Sequence, residues 1–177
     1  MLDRIDPKRR LENYPVHESM RGYLGKALYE QMAKNDKVFL LVGDLGYGLF
    51  NPHFADFPER CINVGAAEQS LISIGVGLAM EGKIPVCYSI TPFLLYRGFE
   101  VIRNYINGEK WPVILVGGGR NNDYSHDGPS HHAWEDRPIM AILDNIQAYW
   151  PETKEEMPEL LEAVIGCKKP TYINLRR

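Results

Sequence analysis

The sequence predicts an α/β fold, a three-layer αβα sandwich around a mostly parallel, doubly wound sheet of about six strands. Short apolar runs alternate with helix-length segments along the whole chain, as in β-α-β units joined by right-handed crossovers. The runs are continuously apolar, as in residues 38–42, which indicates strands buried on both faces. The length of 177 residues is typical of one domain.

The predicted elements follow in chain order. Six segments have strand-forming composition: 38–43, 61–64, 84–89, 112–117, 147–150 and 171–175. Helical patterns fill the intervals: 18–34, 66–81, 93–107, 136–143 and 154–165. Residues 1–16 are polar and are predicted to form an N-terminal arm, whose basic cluster Lys8-Arg9-Arg10 is interpreted as solvated. The predicted domain is residues 17–177.

The composition is that of an ordinary soluble globular protein, with 45% hydrophobic and 24% charged residues. A formal net charge of -3 argues against a nucleic-acid or anionic-membrane partner. The longest apolar stretch is too short to span a membrane and no apolar leader begins the sequence, so a cytoplasmic location is expected. The three cysteines, Cys61, Cys87 and Cys167, are predicted to be buried reduced thiols, and their spacing does not suggest a zinc site.

Glu68 is the one acidic residue in an apolar stretch, residues 64–80, that would otherwise form a helix buried on every side. Because burying an unpaired charge is costly, this carboxylate is expected to be paired, hydrogen-bonded or protonated. It is therefore a candidate acid or base. The alternative is that Glu68 stabilises the positive N-terminal end of its own helix.

A long polar segment, residues 117–132, follows the fourth predicted strand, at the sheet edge where ligands gather in such folds. His126, His131 and His132 lie there with Asp127, and imidazoles titrate near neutrality. These residues are also ligand types for a metal, but the spacing lacks the separation of known metal sites. A plain surface turn is the other alternative.

Aromatic residues recur every three positions after the third predicted strand, at Phe93, Tyr96 and Phe99. This spacing is typical of a helix face packed in the core. The alternative is an aromatic wall that stacks against a flat heterocycle.

Three motifs in this order resemble one family: Gly65-Ala-Ala-Glu68-Gln-Ser, Tyr88-Ser-Ile-Thr-Pro-Phe93-Leu-Leu-Tyr96 and Asp127-Gly-Pro-Ser-His131. Together they closely resemble the pyrimidine-binding domain of transketolase. The same order is similar to deoxyxylulose phosphate synthase and, more distantly, to beta subunits of the pyruvate dehydrogenase type. Each motif is weak alone, but the ordered set is specific and runs from about His17 to Arg177.

The resemblance implies that Glu68 hydrogen-bonds N1′ of the aminopyrimidine of thiamine diphosphate. Sharing a proton there would favour the imino tautomer, whose 4′ nitrogen removes the C2 proton of the thiazolium. The cofactor supplies the carbanion chemistry, and the protein supplies tautomer, orientation and a dry site. By the same resemblance, Phe93, Tyr96 and Phe99 would enclose the pyrimidine ring.

The resemblance also assigns the substrate side. His131 matches the histidine that assists proton transfers on substrate hydroxyl groups, and Asp127 matches the aspartate that contacts a sugar hydroxyl. Arg21 and Arg177 fall where transketolase has arginines against the sugar phosphate. His126 and His132 add imidazoles that the transketolase pattern lacks, and Gly119 stands in place of a histidine, so an altered donor or acceptor is possible.

The family's diphosphate half carries Gly-Asp-Gly followed by Asn, which hold Mg²⁺ and the diphosphate, and the sequence has no such motif. It also ends at Arg177, where transketolases continue into a third domain. We therefore expect a split enzyme, in which a separate subunit supplies the diphosphate site. Two copies of each subunit are expected, with the helix of residues 66–80 packed at the interface.

Three functions are considered. The first is the pyrimidine-binding subunit of a split, thiamine-dependent transketolase-like enzyme that transfers a two-carbon ketol unit between sugar-type substrates. The second is a subunit of a thiamine-dependent 2-keto acid decarboxylase, acyloin synthase or dehydrogenase. The third is a binding or regulatory module that has lost the chemistry.

Overall fold

The computed structural model describes residues 5–177 and contains six strands: β1 (Val38–Val42), β2 (Cys61–Asn63), β3 (Ile84–Ile90), β4 (Ile114–Gly118), β5 (Gln147–Tyr149) and β6 (Thr171–Leu175). They form one sheet in the order β2-β1-β3-β4-β6-β5, and every neighbouring pair is parallel. All six predicted strands are present, with ends displaced by two residues at most. The α/β prediction is confirmed, and the sheet is parallel throughout.

Eight helices accompany the strands in the described residues: α1 (Pro7–Glu12), α2 (Met20–Lys34), α3 (Asn51–Asp56), α4 (Glu68–Met80), α5 (Thr91–Arg97), α6 (Phe99–Val101), α7 (Asp136–Ala141) and α8 (Met157–Cys167). A π-helical turn, Ile102–Gly108, continues α6. Short 3-10 turns lie at Pro58–Arg60, Ser125–Asp127, Pro129–His131 and Lys154–Glu156. Over residues 5–177, no helix combines the length and the apolar character needed to cross a membrane.

The sheet is covered on both faces, as its apolar strands predict. Leu40 and Val42 of β1 belong to a core cluster that includes residues of α2 and α8. Leu41, between them, belongs to a second cluster that includes residues of α4, α5 and the π turn. Alternate side chains of one strand therefore enter opposite cores, which is the three-layer arrangement.

The strand order positions the candidate site. β1 lies between β2 and β3, so the chain first passes from β1 to one neighbour and then returns to the other side. In parallel sheets such a reversal leaves a crevice at the carboxyl ends of the central strands. Gly43 follows β1 at this edge, and α4 begins with Glu68 shortly after β2.

The predicted helix of residues 93–107 is interrupted. It ends at Arg97, resumes after Gly98 and then winds as a π turn. A Cβ on Gly98 would lie 2.1 Å from Cδ1 of Ile72 in α4, so glycine permits close packing of the two helices at the break. This interruption makes Arg97 the last residue of α5.

Two burial predictions are corrected. Helix α4 is not buried on every side, because Ile74 is 39% and Met80 46% exposed. The helix has one stripe that faces outward from the sheet. Cys61 and Cys87 are buried as predicted, whereas Cys167 is exposed because it ends α8 at the surface.

The basic cluster of the N-terminal segment is also not wholly solvated. Arg10 of α1 forms an ion pair with Asp56, whose side chain is fully buried. Asp56 also accepts hydrogen bonds from the Tyr29 hydroxyl at 2.6 Å and from the Ile5 amide at 2.9 Å. These contacts attach α1 to α2 and α3.

Asp56→Asn is expected to destabilise the fold by about 3 kcal/mol at neutral pH, because it leaves Arg10 and Tyr29 facing a neutral amide. Burial raises the pKa of Asp56, but hydrogen bonds from Arg10 and Tyr29 outweigh it and the pKa falls below its ordinary value. The carboxylate therefore stabilises the fold above the unfolded pKa of about 4, and this contribution is lost as pH falls through the folded pKa. Urea unfolding at several pH values measures the difference.

The matched control is Asp36→Asn, since Asp36 is an exposed carboxylate before β1. Its effect should be small at every pH. If the free energy of unfolding lost in Asp56→Asn stayed the same down to strongly acidic pH, the role given to this carboxylate would be contradicted.

Candidate active site

Glu68 is the first residue of α4 and is buried, with 2% of its surface exposed. The hydroxyl of Ser89, near the end of β3, donates to Oε1 at 3.3 Å. Arg97 donates from Nη1 to Oε2 at 2.8 Å. A Cβ on Gly43 would lie 3.7 Å from Oε1, so the end of β1 also adjoins the carboxylate. Glu68 is therefore paired, as predicted, and it lies at the crevice of the sheet.

A line of flat groups extends from Glu68 toward the polar segment after β4. The Arg97 guanidinium lies over the Phe93 ring, with Cζ 3.9 Å from the ring centroid. The ring of Phe93 meets His131 edge to face, with centroids 4.8 Å apart. His131 is partly exposed, and its Nδ1 is 3.1 Å from the Ser130 hydroxyl. Two predicted site residues, Phe93 and His131, are thus in contact, and Phe93 is connected to Glu68 through Arg97.

The other two aromatic residues occupy different surroundings. Tyr96 is 44% exposed, and its hydroxyl donates to Glu135 at 2.5 Å. Phe99 is partly buried and packs against the second core cluster. Phe93 therefore adjoins the Glu68 pair, whereas Phe99 has the core-face contacts that three-residue spacing commonly indicates.

Tyr124 is the centre of a second polar cluster, although no sequence pattern selects it. Arg21 of α2 donates to its hydroxyl at 3.1 Å. The Arg177 guanidinium lies 4.8 Å from its ring centroid. His126 contacts Arg177 at 3.1 Å through Nε2, and it lies 3.2 Å from Asp127. The structure thus brings four predicted residues together around one buried tyrosine.

A cleft of about 560 Å³ opens beside this cluster and is lined by Arg21 and Tyr88 together with residues 15–17 and 46–49. Burial raises the pKa of Tyr88 to about 12, against a lowering influence of Arg21. Its hydroxyl therefore remains a hydrogen-bond donor at neutral pH. Nε of Arg21 is buried without a protein partner, and the same is true of Nε2 of His132. Both nitrogen atoms therefore have unused hydrogen-bonding capacity.

Gly119 lies directly against the ring of Tyr124. Its φ is +89°, and a Cβ there would lie 2.3 Å from Cε2 of Tyr124. The Tyr124 ring thus occupies the space that a side chain at position 119 would need. The cluster beside Gly119 therefore contains a phenol and guanidinium groups.

Arg120 holds the base of the polar segment. It is buried and donates to the carbonyl groups of Asn174 and Pro151 at 2.8 and 2.9 Å, and to the Asn174 side chain at 3.0 Å. A salt bridge to Glu152 completes its contacts. These bonds connect the end of β4 to the end of β6, and they fix the segment on which Tyr124 and His131 lie.

Over residues 5–177, no group of three or more His, Cys, Asp or Glu side chains is arranged to hold an ion. The imidazoles of His126 and His131 instead contact Arg177, Asp127 and Phe93.

A family model described as "Transketolase, pyrimidine binding domain" matches residues 17–177. The chain belongs to this family. The match confirms the resemblance inferred from the three motifs, and it contains the strands, α4 and the polar segment described above.

Curated relatives include parts of divided transketolases. The "Putative transketolase C-terminal section" of Methanocaldococcus jannaschii is 32% identical over 92% of this chain and 52% of its own length. One of the subunits of an apulose-4-phosphate transketolase of Actinobacillus succinogenes is 33% identical over 70% of this chain and 40% of its own. A 1-deoxy-D-xylulose-5-phosphate synthase of Syntrophus aciditrophicus is 28% identical over 92% of this chain and 25% of its own length. The chain spans about half the length of these relatives or less.

Solved structures agree with the family. A split-gene transketolase, described as an inactive beta4 tetramer, superposes with a TM-score of 0.80 at 33% identity, over 91% of this chain and 52% of that one. Transketolase from Leishmania mexicana has a TM-score of 0.78 at 20% identity, over 96% of this chain and 27% of that one. This likeness shows the fold alone.

Gly119→Ala is expected to destabilise the domain by about 2 kcal/mol, because the new Cβ meets the Tyr124 ring and alanine is strained at positive φ. The probe is thermal or urea unfolding of the purified chain. Gly166→Ala is the control, since nothing lies within 4 Å of a Cβ at that helical position. It should change stability by less than about 1 kcal/mol. Equal effects at the two positions would refute the packing described for Tyr124.

Proposed function

We propose that the chain is the pyrimidine-binding subunit of a split, thiamine diphosphate-dependent transketolase-like enzyme. It transfers a two-carbon ketol unit between sugar-type substrates and works only with a separate subunit that holds the diphosphate and Mg²⁺. Family membership supports this proposal, as do the names of two relatives, one a C-terminal section and the other a single subunit of a transketolase.

The observation that carries the proposal is the buried carboxylate of Glu68, which is connected through Arg97 to the partly exposed ring of Phe93. A buried carboxylate needs donors, and an aminopyrimidine protonated on its ring nitrogen offers one in the plane of a flat ring. The partly exposed Phe93 ring offers a stacking surface a short distance away. The residues present therefore fit the pyrimidine half of the cofactor.

When bound, thiamine diphosphate supplies the carbanion-stabilising centre. Glu68 holds the proton at the pyrimidine nitrogen, and Ser89 keeps Oε1 in position. Phe93 supports one face of the ring, with Tyr96 and Phe99 assigned to its surroundings only by the resemblance. His131, against the edge of Phe93, exchanges protons with substrate hydroxyl groups.

The cluster around Tyr124 is assigned to the substrate. Arg21 and Arg177 supply donors and positive charge, the imidazoles of His126 and His132 supply further polar groups, and Asp127 supplies an acceptor for a sugar hydroxyl. Guanidinium groups bind phosphate oxygens in bidentate geometry. We infer that an anionic, hydroxylated substrate such as a sugar phosphate enters through the adjoining cleft.

The surface for the partner is assigned to the outer stripe of α4. Ser70, Ile74, Gly77 and Met80 are exposed at helical spacing and carry no charge. Gly77 has open space where a Cβ would lie, so a second chain can approach the helix backbone closely. We propose that the diphosphate-binding subunit, which carries the Gly-Asp-Gly and Asn motif, packs here in an assembly of two copies of each chain.

A second candidate is a decarboxylating acyloin synthase subunit, favoured by the relatives among 1-deoxy-D-xylulose-5-phosphate synthases. It would use the same Glu68 contact with a 2-keto acid as donor. Supplying the assembled enzyme with pyruvate or with a ketose phosphate distinguishes the two, since only the first donor releases carbon dioxide.

Glu68→Gln is expected to slow exchange of the cofactor's C2 proton by about 100-fold or more in the two-subunit complex, because the amide cannot hold the shared proton. NMR of C2 deuterium exchange measures this step without any sugar substrate. Glu162→Gln, at an exposed position of α8, should leave exchange unchanged. Unaltered exchange in Glu68→Gln would eliminate the assigned role.

Ile74→Arg is expected to weaken association with the diphosphate-binding chain by about tenfold or more, since an unpaired charge would be buried at the contact. The free chain should fold normally because Ile74 is on the exposed stripe. Sedimentation of the mixed chains measures the complex. Ile142→Arg is the control at another exposed isoleucine, and equal weakening by both would place the partner elsewhere.

A further inference from the structure

Arg97 has two contacts that together define a flat slot between Glu68 and Phe93. Its Nη1 donates to the Glu68 carboxylate at 2.8 Å, and its guanidinium lies 3.9 Å above the Phe93 ring centroid. Phe93 and Arg97 are four residues apart in α5, so they share one face of the helix. The Arg97 side chain is 48% exposed, whereas that of Glu68 is 2% exposed. The guanidinium therefore closes the slot from its solvent side.

A guanidinium and a protonated aminopyrimidine are alike in the features that this slot recognises. Both are planar cations with N–H donors in the plane and π-faces available for stacking. Each can donate in its plane to a carboxylate while it lies flat on an aromatic ring. Since the guanidinium already occupies the face of Phe93 and one oxygen of Glu68, a second flat group cannot make the same contacts until Arg97 leaves.

We propose that Arg97 is an internal substitute for the cofactor's pyrimidine, bound in the cofactor-free chain and displaced when the cofactor enters. This inference rests on the proposed function of Glu68. In the free chain, Arg97 is the charged partner of the buried Glu68 carboxylate, which would be costly to leave unpaired. Cofactor binding is then an exchange of one planar cation for another. The apparent affinity for the cofactor is the intrinsic affinity multiplied by the fraction of chains in which Arg97 has left Glu68.

The position of Arg97 permits the exchange. It is the last residue of α5, Gly98 follows it, and half of its side chain already faces solvent. Displacement therefore requires side-chain rotation and leaves the Phe93 and Ser89 positions unchanged. The slot is preformed by α4, β3 and α5.

The test uses the full chain alone, with the pyrimidine half of the cofactor, 4-amino-5-hydroxymethyl-2-methylpyrimidine, as the probe. Arg97→Ala is expected to bind this probe roughly threefold to tenfold more tightly than the natural chain, because no ion pair must open first. NMR titration of backbone amides near Ser89 gives the Kd. Arg103→Ala removes the same charge from an exposed position in the π turn, and it should bind like the natural chain.

A second measurement needs no variant. NMR of the Arg97 guanidinium in the natural chain should show a side chain held by its carboxylate partner, and saturation with the probe should shift it to the signals of a free arginine. If Arg97→Ala does not fold, this measurement alone shows whether the probe displaces Arg97 from Glu68.

The outcomes separate the two hypotheses. Unchanged or weaker probe binding by Arg97→Ala, or Arg97 signals that do not move at saturation, would overturn the substitute role and leave the Glu68 contact intact. Probe binding that is equal in Arg97→Ala and in the double variant Arg97→Ala, Glu68→Gln would instead overturn the proposed pyrimidine contact itself, because no competing ion pair is present in either variant. If Arg97→Ala binds the probe more tightly and this gain disappears in the double variant Arg97→Ala, Glu68→Gln, both the substitute role of Arg97 and the pyrimidine contact of Glu68 are supported.

Discussion

The structure depends on one buried charge. Glu68 is removed from water at the start of α4, and its carboxylate is stable there only because separate elements supply donors. Ser89 comes from β3 and Arg97 from the end of α5. Its place in the first turn of α4 adds a favourable interaction with the helix dipole. The structural and the chemical explanations of Glu68 are therefore compatible, because the same carboxylate satisfies both.

The order of the strands makes this arrangement possible. With β1 between β2 and β3, the loop that leads into α4 returns over the carboxyl end of β1. Gly43 has no side chain there, and a Cβ would come within 3.7 Å of both Glu68 and Ser89. The crevice is thus an outcome of topology, and the residues at its floor only have to be small. Side chains from α5 and the polar segment then close its sides.

The sequence was sufficient for the strands, because continuous apolar runs and their spacing are local properties. It also singled out Glu68, Phe93 and His131, which lie within motifs and which the structure connects through Arg97. It did not indicate Arg97 or Tyr124, because their importance comes from contacts with residues 29 and 103 positions away along the chain. The break in α5 was missed for a similar reason, since it depends on how Gly98 packs against Ile72.

The packing of Tyr124 determines which side chains one side of the site can have. Its ring fills the space above Gly119, so no imidazole can project from that position. Its hydroxyl receives a hydrogen bond from Arg21, and its face receives Arg177, so two cations from opposite ends of the chain are held at one buried phenol. A phenol hydroxyl group neutralises neither guanidinium, and each keeps donors for an anion. Position 119 therefore presents no side chain to this cluster, and the groups held around Tyr124 are the guanidinium groups of Arg21 and Arg177.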